Sequence, residues 1–462
     1  MRATATQMPI GGGAPVVMDD QIPWAVRRII LLLTLISVLN FVDRQIINIL
    51  AEAIKRDLAL SDTHIGILTG MAFAFFYAAL SLPAARLADR YHRPRVLGAA
   101  VVVWSAFTVL CGMAQNFVQL ALARMGVGVG ESACTPTAHS LISDYVPLNK
   151  RASAIALYQL GVPIGSMVGM AVGGIVADNY GWRAALLLVG LPGLAIGILV
   201  ALIAPEPRRD KGEGESAGAA AAANGPLSSF AKFIALLASR RSARMMLPAY
   251  GLSSMVQYGG YAFVASFFLR THNQELVQWA GSISAFLGLP FGPVSMIGIL
   301  YGVCSGVMAG IGLWLGGRIA DAGGEKSMTV MLTLPAWAHL AAAPFTIGTL
   351  FAPSLLPAII CTSFHAFLTG LSAPAYFASI LGLVDARNRA TVTAVFLIVS
   401  TFVGLGLGPL LIGLLSDYFN HGLGFGSMDG LRYSLTALAA LAIPSSALLF
   451  LSRQDYAREF VR

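Results

Sequence analysis

Four charged residues stand where the surrounding sequence is apolar. Asp43 and Arg44 are adjacent in "SVLNFVDRQIINIL" (37–50), and Arg124 and Glu131 lie seven apart in "ARMGVGVGESACTP" (123–136). An ionisable group at the centre of a membrane span costs about 2.5–3.5 kcal/mol on insertion scales, so such groups face an interior and find partners. The chemistry open to two acids among guanidinium groups is proton exchange. Burial favours a neutral carboxyl and a guanidinium neighbour an ionised one, so an acid that changes partners takes up and releases a proton. The competing reading makes all four permanent ion pairs that only fix helix packing. In the second half of the chain, His365 is read as the only strongly polar titratable group near a span centre, either a hydrogen-bonded core residue or a proton site. Around it Tyr250, Ser253, Gln257, Tyr258, Thr369 and Tyr376 add hydroxyls and an amide among many Phe and Leu. One charged wall and one apolar wall with hydroxyls suit a ligand with a polar head and an apolar body.

Enzymatic constellations do not form. His139 and Asp144 have a spacing resembling that of glycerolipid acyltransferases, but five residues on one helix turn the side chains about 140° apart. No zinc-binding HExxH and no nucleotide loop occur, so no catalytic or metal-ligating residues are assigned and no cofactor is expected. Cys111, Cys134, Cys304 and Cys361 fall singly inside apolar runs and read as packing residues.

The elements that must hold these residues are membrane spans. Of 462 residues, 56% are hydrophobic and 11% charged, which is not a soluble surface. Twelve runs of about 20 apolar residues recur, each long enough to cross a hydrocarbon core of about 30 Å. The first (29–50) carries Asp43 and Arg44, the fourth (117–142) Arg124 and Glu131, the seventh (245–269) the tyrosines, and the tenth (355–381) His365. The expected fold is an all-α polytopic membrane protein. It divides into a tail (1–28) without a signal peptide, a six-helix bundle (29–204), a linker with an amphipathic helix (205–244), a second bundle (245–452) and a tail (453–462).

The net charge of +8 does not indicate nucleic acid, because the basic residues follow the membrane instead. With the N-terminus cytoplasmic, 23 Lys and Arg lie on that side and five opposite, which puts both termini in the cytoplasm of a multi-pass protein of the cell (inner or plasma) membrane. The linker "PEPRRDKGEGESAGAAAAANGP" (205–226) is rich in Pro, Gly, Ala and charge. After it Phe230, Phe233, Ile234 and Leu237 share one helical face, as a surface helix or an extension of the seventh span. The outer segment "SISAFLGLPFGPV" (282–294) reads as an interfacial helix or a lipid-side entry lip.

The two halves repeat. Gly165, Gly169, Gly174 and Asp178 recur as Gly404, Gly408, Gly413 and Asp417 at an offset of 239, and Pro136 as Pro374 at 238. The chain is therefore a 6+6 parallel repeat. Gly165 and Gly169, like Gly404 and Gly408, leave a flat strip for close helix packing, which also suits a moving seam between the halves. At about 1.5 Å per residue, Asp43 lies about 21 Å from the cytoplasmic start of its span and Arg124 about 10 Å from the outer start of its own. Those levels match, which pairs Asp43 with Arg124 and leaves Glu131 to Arg44, to water or to a proton.

"LADRYHRPR" (87–95) and "GRIADAGGEK" (317–326) resemble the loop signature of the major facilitator superfamily, and "NFVDRQ" with "RMGVGVGESACTPTAHSLISDYVP" resembles its spinster-like branch. The resemblance implies two pseudo-symmetric six-helix bundles, alternating access, a proton gradient as energy source, and sphingolipid or lysolipid substrates handled by a monomer among membrane lipids. It implies that Asp43 and Glu131 couple protons, with Arg44 facing substrate and Arg124 their partner. It also implies a cytoplasmic charge latch at Asp89, Arg90, Arg93 and Asp321, against helix capping as the plainer role. The signature expects Gly at 85 and 92 and a basic residue at 94, where this chain has Ala85, His92 and Pro94, so a differently shaped loop is expected. A proton-linked exporter of drugs and a passive lipid scramblase are the rival functions.

Overall fold

A computed structural model describes residues 24–147, 150–206, 237–322, 327–384 and 389–460. The polypeptide crosses twelve times, always as helix. Spans 1 to 4 are Trp24–Asp57, the run Asp62–Gly66 with Ile67–Met71 and Ala72–Arg90, Arg93–Met113, and Phe117–Glu131 continued by Cys134–Tyr145. Span 5 joins Arg151–Gln159 to the first part of the long helix Gly161–Ile203, and span 6 is the rest of it. Spans 7 to 10 are Arg241–Thr271, Pro293–Ala322, Ser327–Leu350 and Leu355–Leu381. Span 11 runs from Arg389 through Asp417 to Gly422, and span 12 is Gly426–Ala439 with Ala442–Glu459.

By length and composition nine described helical stretches can cross a membrane, and three features account for twelve crossings. The stretch Ser153–Ile203 has 51 residues, about 75 Å of helix, more than twice a hydrocarbon core. It folds back at Gly181, whose φ of 82° only glycine adopts at ease. Span 4 is interrupted after Glu131, because Pro136 has no N–H for the carbonyl four residues back and its ring crowds that turn. Span 7 carries Tyr250, Ser253, Ser254, Gln257 and Tyr258 through its middle, which lowers its hydropathy.

The helices outrun the apolar runs. Span 1 continues into Lys55, Arg56 and Asp57, and span 12 reaches Glu459, where the sequence suggests a tail from 453. Glu459 accepts hydrogen bonds from the backbone N–H of Arg241 (3.0 Å) and Ser242 (3.2 Å), capping span 7. Residues 1–23 and 207–236, which hold most of the predicted tail, the linker and Phe230, Phe233 and Ile234, lie outside the described residues. The segment 282–294 forms the end of a helix, Asn273–Leu287, closed by Gly288 at φ 70°, and the turn before span 8. His92 sits at φ −65° and ψ 101°, with no left-handed residue, and Pro94 occupies the first turn of the helix.

The repeat is visible in the packing. A Cβ at Gly165 would lie 2.8 Å from Phe41 Cβ and one at Gly169 2.9 Å from Val42 O, both on span 1; one at Gly404 would meet Ser254 and Tyr258, and one at Gly408 would lie 2.7 Å from Met255 O, on span 7. These strips therefore seat spans 5 and 11 on the first helix of their own bundle. Of the two uses the sequence leaves open, the strips serve close packing, and other glycines bring the halves together. Gly174 and Gly298 bring spans 5 and 8 together, and Gly66 and Gly70 bring span 2 onto Pro409 and Leu405 of span 11.

These inter-bundle contacts crowd one face of the molecule, opposite the termini, here termed the far face. One buried apolar cluster runs from the first bundle into Phe263, Phe267, Phe268 and Leu431 of the second, while the terminus side of the second bundle has its own cluster around Met246, Leu332, Phe396 and Tyr456. Among the described residues, the terminus-side segments Arg151–Gln159 and Arg389–Val399 have no comparable packing on the opposite bundle, so the described part of the protein is closed on the far face and open towards its termini.

Candidate functional site

Two ion pairs lie inside the first bundle. Arg124 Nη1 is 3.4 Å from Asp43 Oδ1, and Arg44 Nε is 2.7 Å from Glu131 Oε2. All but Arg44 are sealed: the side chains of Asp43, Arg124 and Glu131 are 3% exposed or less, and that of Arg44 is 19% exposed. Span 1 turns adjacent residues about 100° apart, so Asp43 and Arg44 reach different partners on the same span 4. The seven-residue spacing on span 4 holds both partners on one face.

Three groups complete the cluster without any signal in the sequence. Thr108 of span 3 donates a hydrogen bond to Asp43 Oδ2. Phe73 and Tyr77 of span 2 present their rings to the Arg44 guanidinium at 4.9 and 4.6 Å, and Phe73 also faces Arg124 at 5.3 Å. Satisfaction is incomplete. Arg124 Nε and Glu131 Oε1 are buried and have no hydrogen-bond partner among the described residues.

In the second bundle, Tyr250, Gln257, His365, Thr369 and Tyr376 line one cavity of about 190 Å³. Tyr258 does not line it; its ring packs beside Gly404. The reading of His365 as the only central titratable group needs correction. His339, at the middle of span 9, lines the same cavity, with Nδ1 3.0 Å from Ser253 Oγ and Nε2 3.1 Å from Ser372 Oγ. Its position mid-span was the same signal that marks His365. His365 Nδ1 meets Thr346 Oγ1 at 2.9 Å.

The far face is tied by charge. Arg270 at the end of span 7 reaches across to Asp62 (2.7 and 2.9 Å) and Glu52 (2.9 Å), and Lys55 joins Asp62 at 2.5 Å. The two repeat-related acids act alike. Asp178 on span 5 accepts from the backbone N–H and hydroxyl of Ser295 (both 2.6 Å) at the start of span 8, and Asp417 on span 11 accepts from the backbone N–H of Asp62 (3.1 Å) and Thr63 (2.8 Å) at the start of span 2. Each caps a helix of the opposite bundle.

At the terminus side, Arg93 is fully buried within the first bundle, bound to Glu206 (2.5 Å), Asp144 (2.6 Å) and Ser140 Oγ (3.0 Å). It ties the ends of spans 3, 4 and 6. Arg90 and Asp321 are exposed, and the Asp89 side chain lies outside the described residues. His139 packs edge-on to Tyr158 and does not approach Asp144.

Two six-helix bundles joined at one face around buried ion pairs define a polytopic membrane transporter. The family profile of the Major Facilitator Superfamily matches residues 33–364, and the chain belongs to that superfamily. An MFS-type efflux pump of Mycolicibacterium smegmatis is 29% identical over 436 residues, 93% of each chain. The sphingosine-1-phosphate transporter SPNS2 of Danio rerio is 30% identical over 176 residues, 37% of this chain and 35% of that one. Among solved structures, a bacterial homolog to the human lysosomal transporter Spinster, in an inward-facing and occupied conformation, matches with a TM-score of 0.80 at 27% identity, over 94% of this chain and 98% of that one. The relatives are transporters, spinster-like ones among them.

Proposed function

We propose that this protein is a proton-coupled secondary active transporter that moves an amphipathic, lipid-like substrate of lysolipid or sphingoid type by alternating access. The observation that carries the reading is the half-satisfied pair Arg44–Glu131, in which Glu131 Oε1 has no donor among the described residues although the residue is sealed. A purely structural strut is stable only when its remaining lone pairs are hydrogen-bonded. Glu131 and Asp43 take up protons when the bundles rearrange, with Arg44 and Arg124 as the groups they release and recapture. In the opposite state the far-face ties of Arg270, Asp178 and Asp417 break, and Asp89, Arg90, Arg93 and Asp321 hold the terminus side shut. The excess of basic residues makes that side cytoplasmic, in the cell membrane, and the protein works as a monomer driven by the proton gradient alone.

The lipid-like substrate draws support from the printed function of the SPNS2 relative and from the second bundle's cavity, where hydroxyls adjoin apolar walls. A second reading, proton-linked export of drugs or other amphipathic molecules, draws support from the efflux-pump relative. Uptake of radiolabelled sphingosine, lysophosphatidylcholine and cationic dyes into proteoliposomes under an imposed pH gradient separates them. Accumulation of the lipids that a protonophore abolishes is the expected result. Accumulation of dyes alone selects export of drugs, and lipid equilibration that ignores the gradient selects a scramblase.

A further inference from the structure

The polar cavity of the second bundle continues into another. Val256, Gln257, Thr346, His365 and Ala439 line both, and beyond them a narrower extension of about 70 Å³ runs towards the far face between Val264, Phe267, Leu350, Leu435 and Leu438. The pair forms one slot inside the bundle, polar at mid-membrane and apolar at its end. No Arg, Lys, Asp or Glu is among the described residues lining either part.

Hydrogen-bond logic shows which groups of the polar part are engaged. Ser372 donates to Thr369 O (2.7 Å) and Ser253 to Ala249 O (3.0 Å), and their hydroxyl oxygens lie 3.1 and 3.0 Å from His339 Nε2 and Nδ1. His339 is thereby occupied on both nitrogens and serves as wall. Thr346 donates to Ala342 O (3.2 Å), so His365 Nδ1 donates to Thr346, leaving Nε2 as the acceptor of a ring that lines both parts. Tyr376 is 3% exposed and lines the cavity, and its hydroxyl makes no well-formed hydrogen bond among the described residues, although Ser253 is close enough to interact with it. A buried hydroxyl without a partner is costly, and the roughly 190 Å³ beside it exceeds by about tenfold the space one water needs.

We propose that this slot holds a single-chain amphiphile, with an uncharged hydroxyl-bearing head against Tyr376 and His365 and its chain in the extension beyond Thr346. A hydroxyl of the head donates to His365 Nε2, while Tyr376, eleven residues on along span 10, lines the other end of the polar part. A phosphate or ammonium finds no counter-charge among the described lining residues, and the extension of about 70 Å³ is too narrow for two chains side by side. The proposal rests on the lipid-like reading but narrows the head to an uncharged one, unlike the phosphate or ammonium of a lysolipid or sphingoid base, and makes His365 and Tyr376 specificity-determining residues.

The test uses the full chain in nanodiscs at equal pH throughout, with tritiated 1-monooleoylglycerol as probe and methyl oleate, which has the same chain and no hydroxyl, as competitor. Saturable binding that methyl oleate does not displace is expected, with Tyr376→Phe weakening it about three- to tenfold. Ala439→Phe, at the junction of the two parts, should abolish it. Absence of saturable binding, equal competition by methyl oleate, or wild-type affinity in a Tyr376→Phe protein of unchanged melting temperature overturns the proposal. If Ala439→Phe does not fold, the other two arms decide. Because no gradient is applied, saturable binding in a protein that lacks pH-driven uptake removes the coupling and keeps the slot, and the reverse removes the slot alone.

Discussion

Arg270→Gln removes the one guanidinium that, among the described residues, bridges the bundles on the far face. Its side chain is 7% exposed and serves Glu52, 9% exposed, and Asp62, 1% exposed, at distances of 2.7 to 3.0 Å. Deleting one member of a buried ion pair costs about 3–5 kcal/mol, and since Lys55 still compensates Asp62 the lower end, about 3 kcal/mol, applies. That loss falls only on the far-face-closed state, because separation of the bundles breaks the contact in any case. At about 1.4 kcal/mol per tenfold, the population ratio should move roughly a hundredfold towards the far-face-open state. Spin labels at Tyr180 and Tyr418, exposed ends of spans 5 and 11 in opposite bundles, report it by pulsed electron resonance. The expected outcome is a longer distance in the variant that the wild type populates weakly. An unchanged distribution in a folded Arg270→Gln protein would refute the latch.

Thr108→Val takes a donor from Asp43 and should lower stability by about 1.5–3 kcal/mol, with Thr108→Ser close to wild type; melting in detergent checks both. Arg93→Ala leaves Glu206 and Asp144 without their shared buried cation and should cost about 3–5 kcal/mol, while Arg90→Ala, at an exposed site, should stay within about 0.5 kcal/mol, read in the same melts. Gly408→Ala drives a Cβ to 2.7 Å from Met255 O and should cost about 1–3 kcal/mol, whereas Gly260→Ala, with nothing within 4 Å, should pack without a clash.

The architecture was legible because membrane spans announce themselves by length and apolarity and the repeat by shared offsets. The pairing of Asp43 with Arg124 followed from counting depth along two helices, which needs only the rise per residue. What stayed hidden was contact between helices. The repeat marks Asp178 and Asp417 as equivalent, but not that each reaches a helix of the other bundle. Nothing in a chain with many Thr distinguishes Thr108, and only the packing of span 3 on span 1 gives it a carboxylate. The glycine strips are visible as strips, yet periodicity does not say which neighbour a flat face meets, so sequence leaves packing within a bundle and a seam between halves both open. His339 was an oversight of a different kind, since its mid-span position was as plain as that of His365. Arg93 sits in a loop signature, while its burial depends on Glu206, 113 residues away.

The central claim is that Glu131 changes its proton as the bundles rearrange, and substrate uptake by Glu131→Gln proteoliposomes tests it most directly. With the inside and outside pH varied independently, wild type should accumulate substrate down the proton gradient, and the variant should fold, bind and exchange substrate while ignoring the gradient. Equal pH-driven accumulation by both proteins would contradict the account.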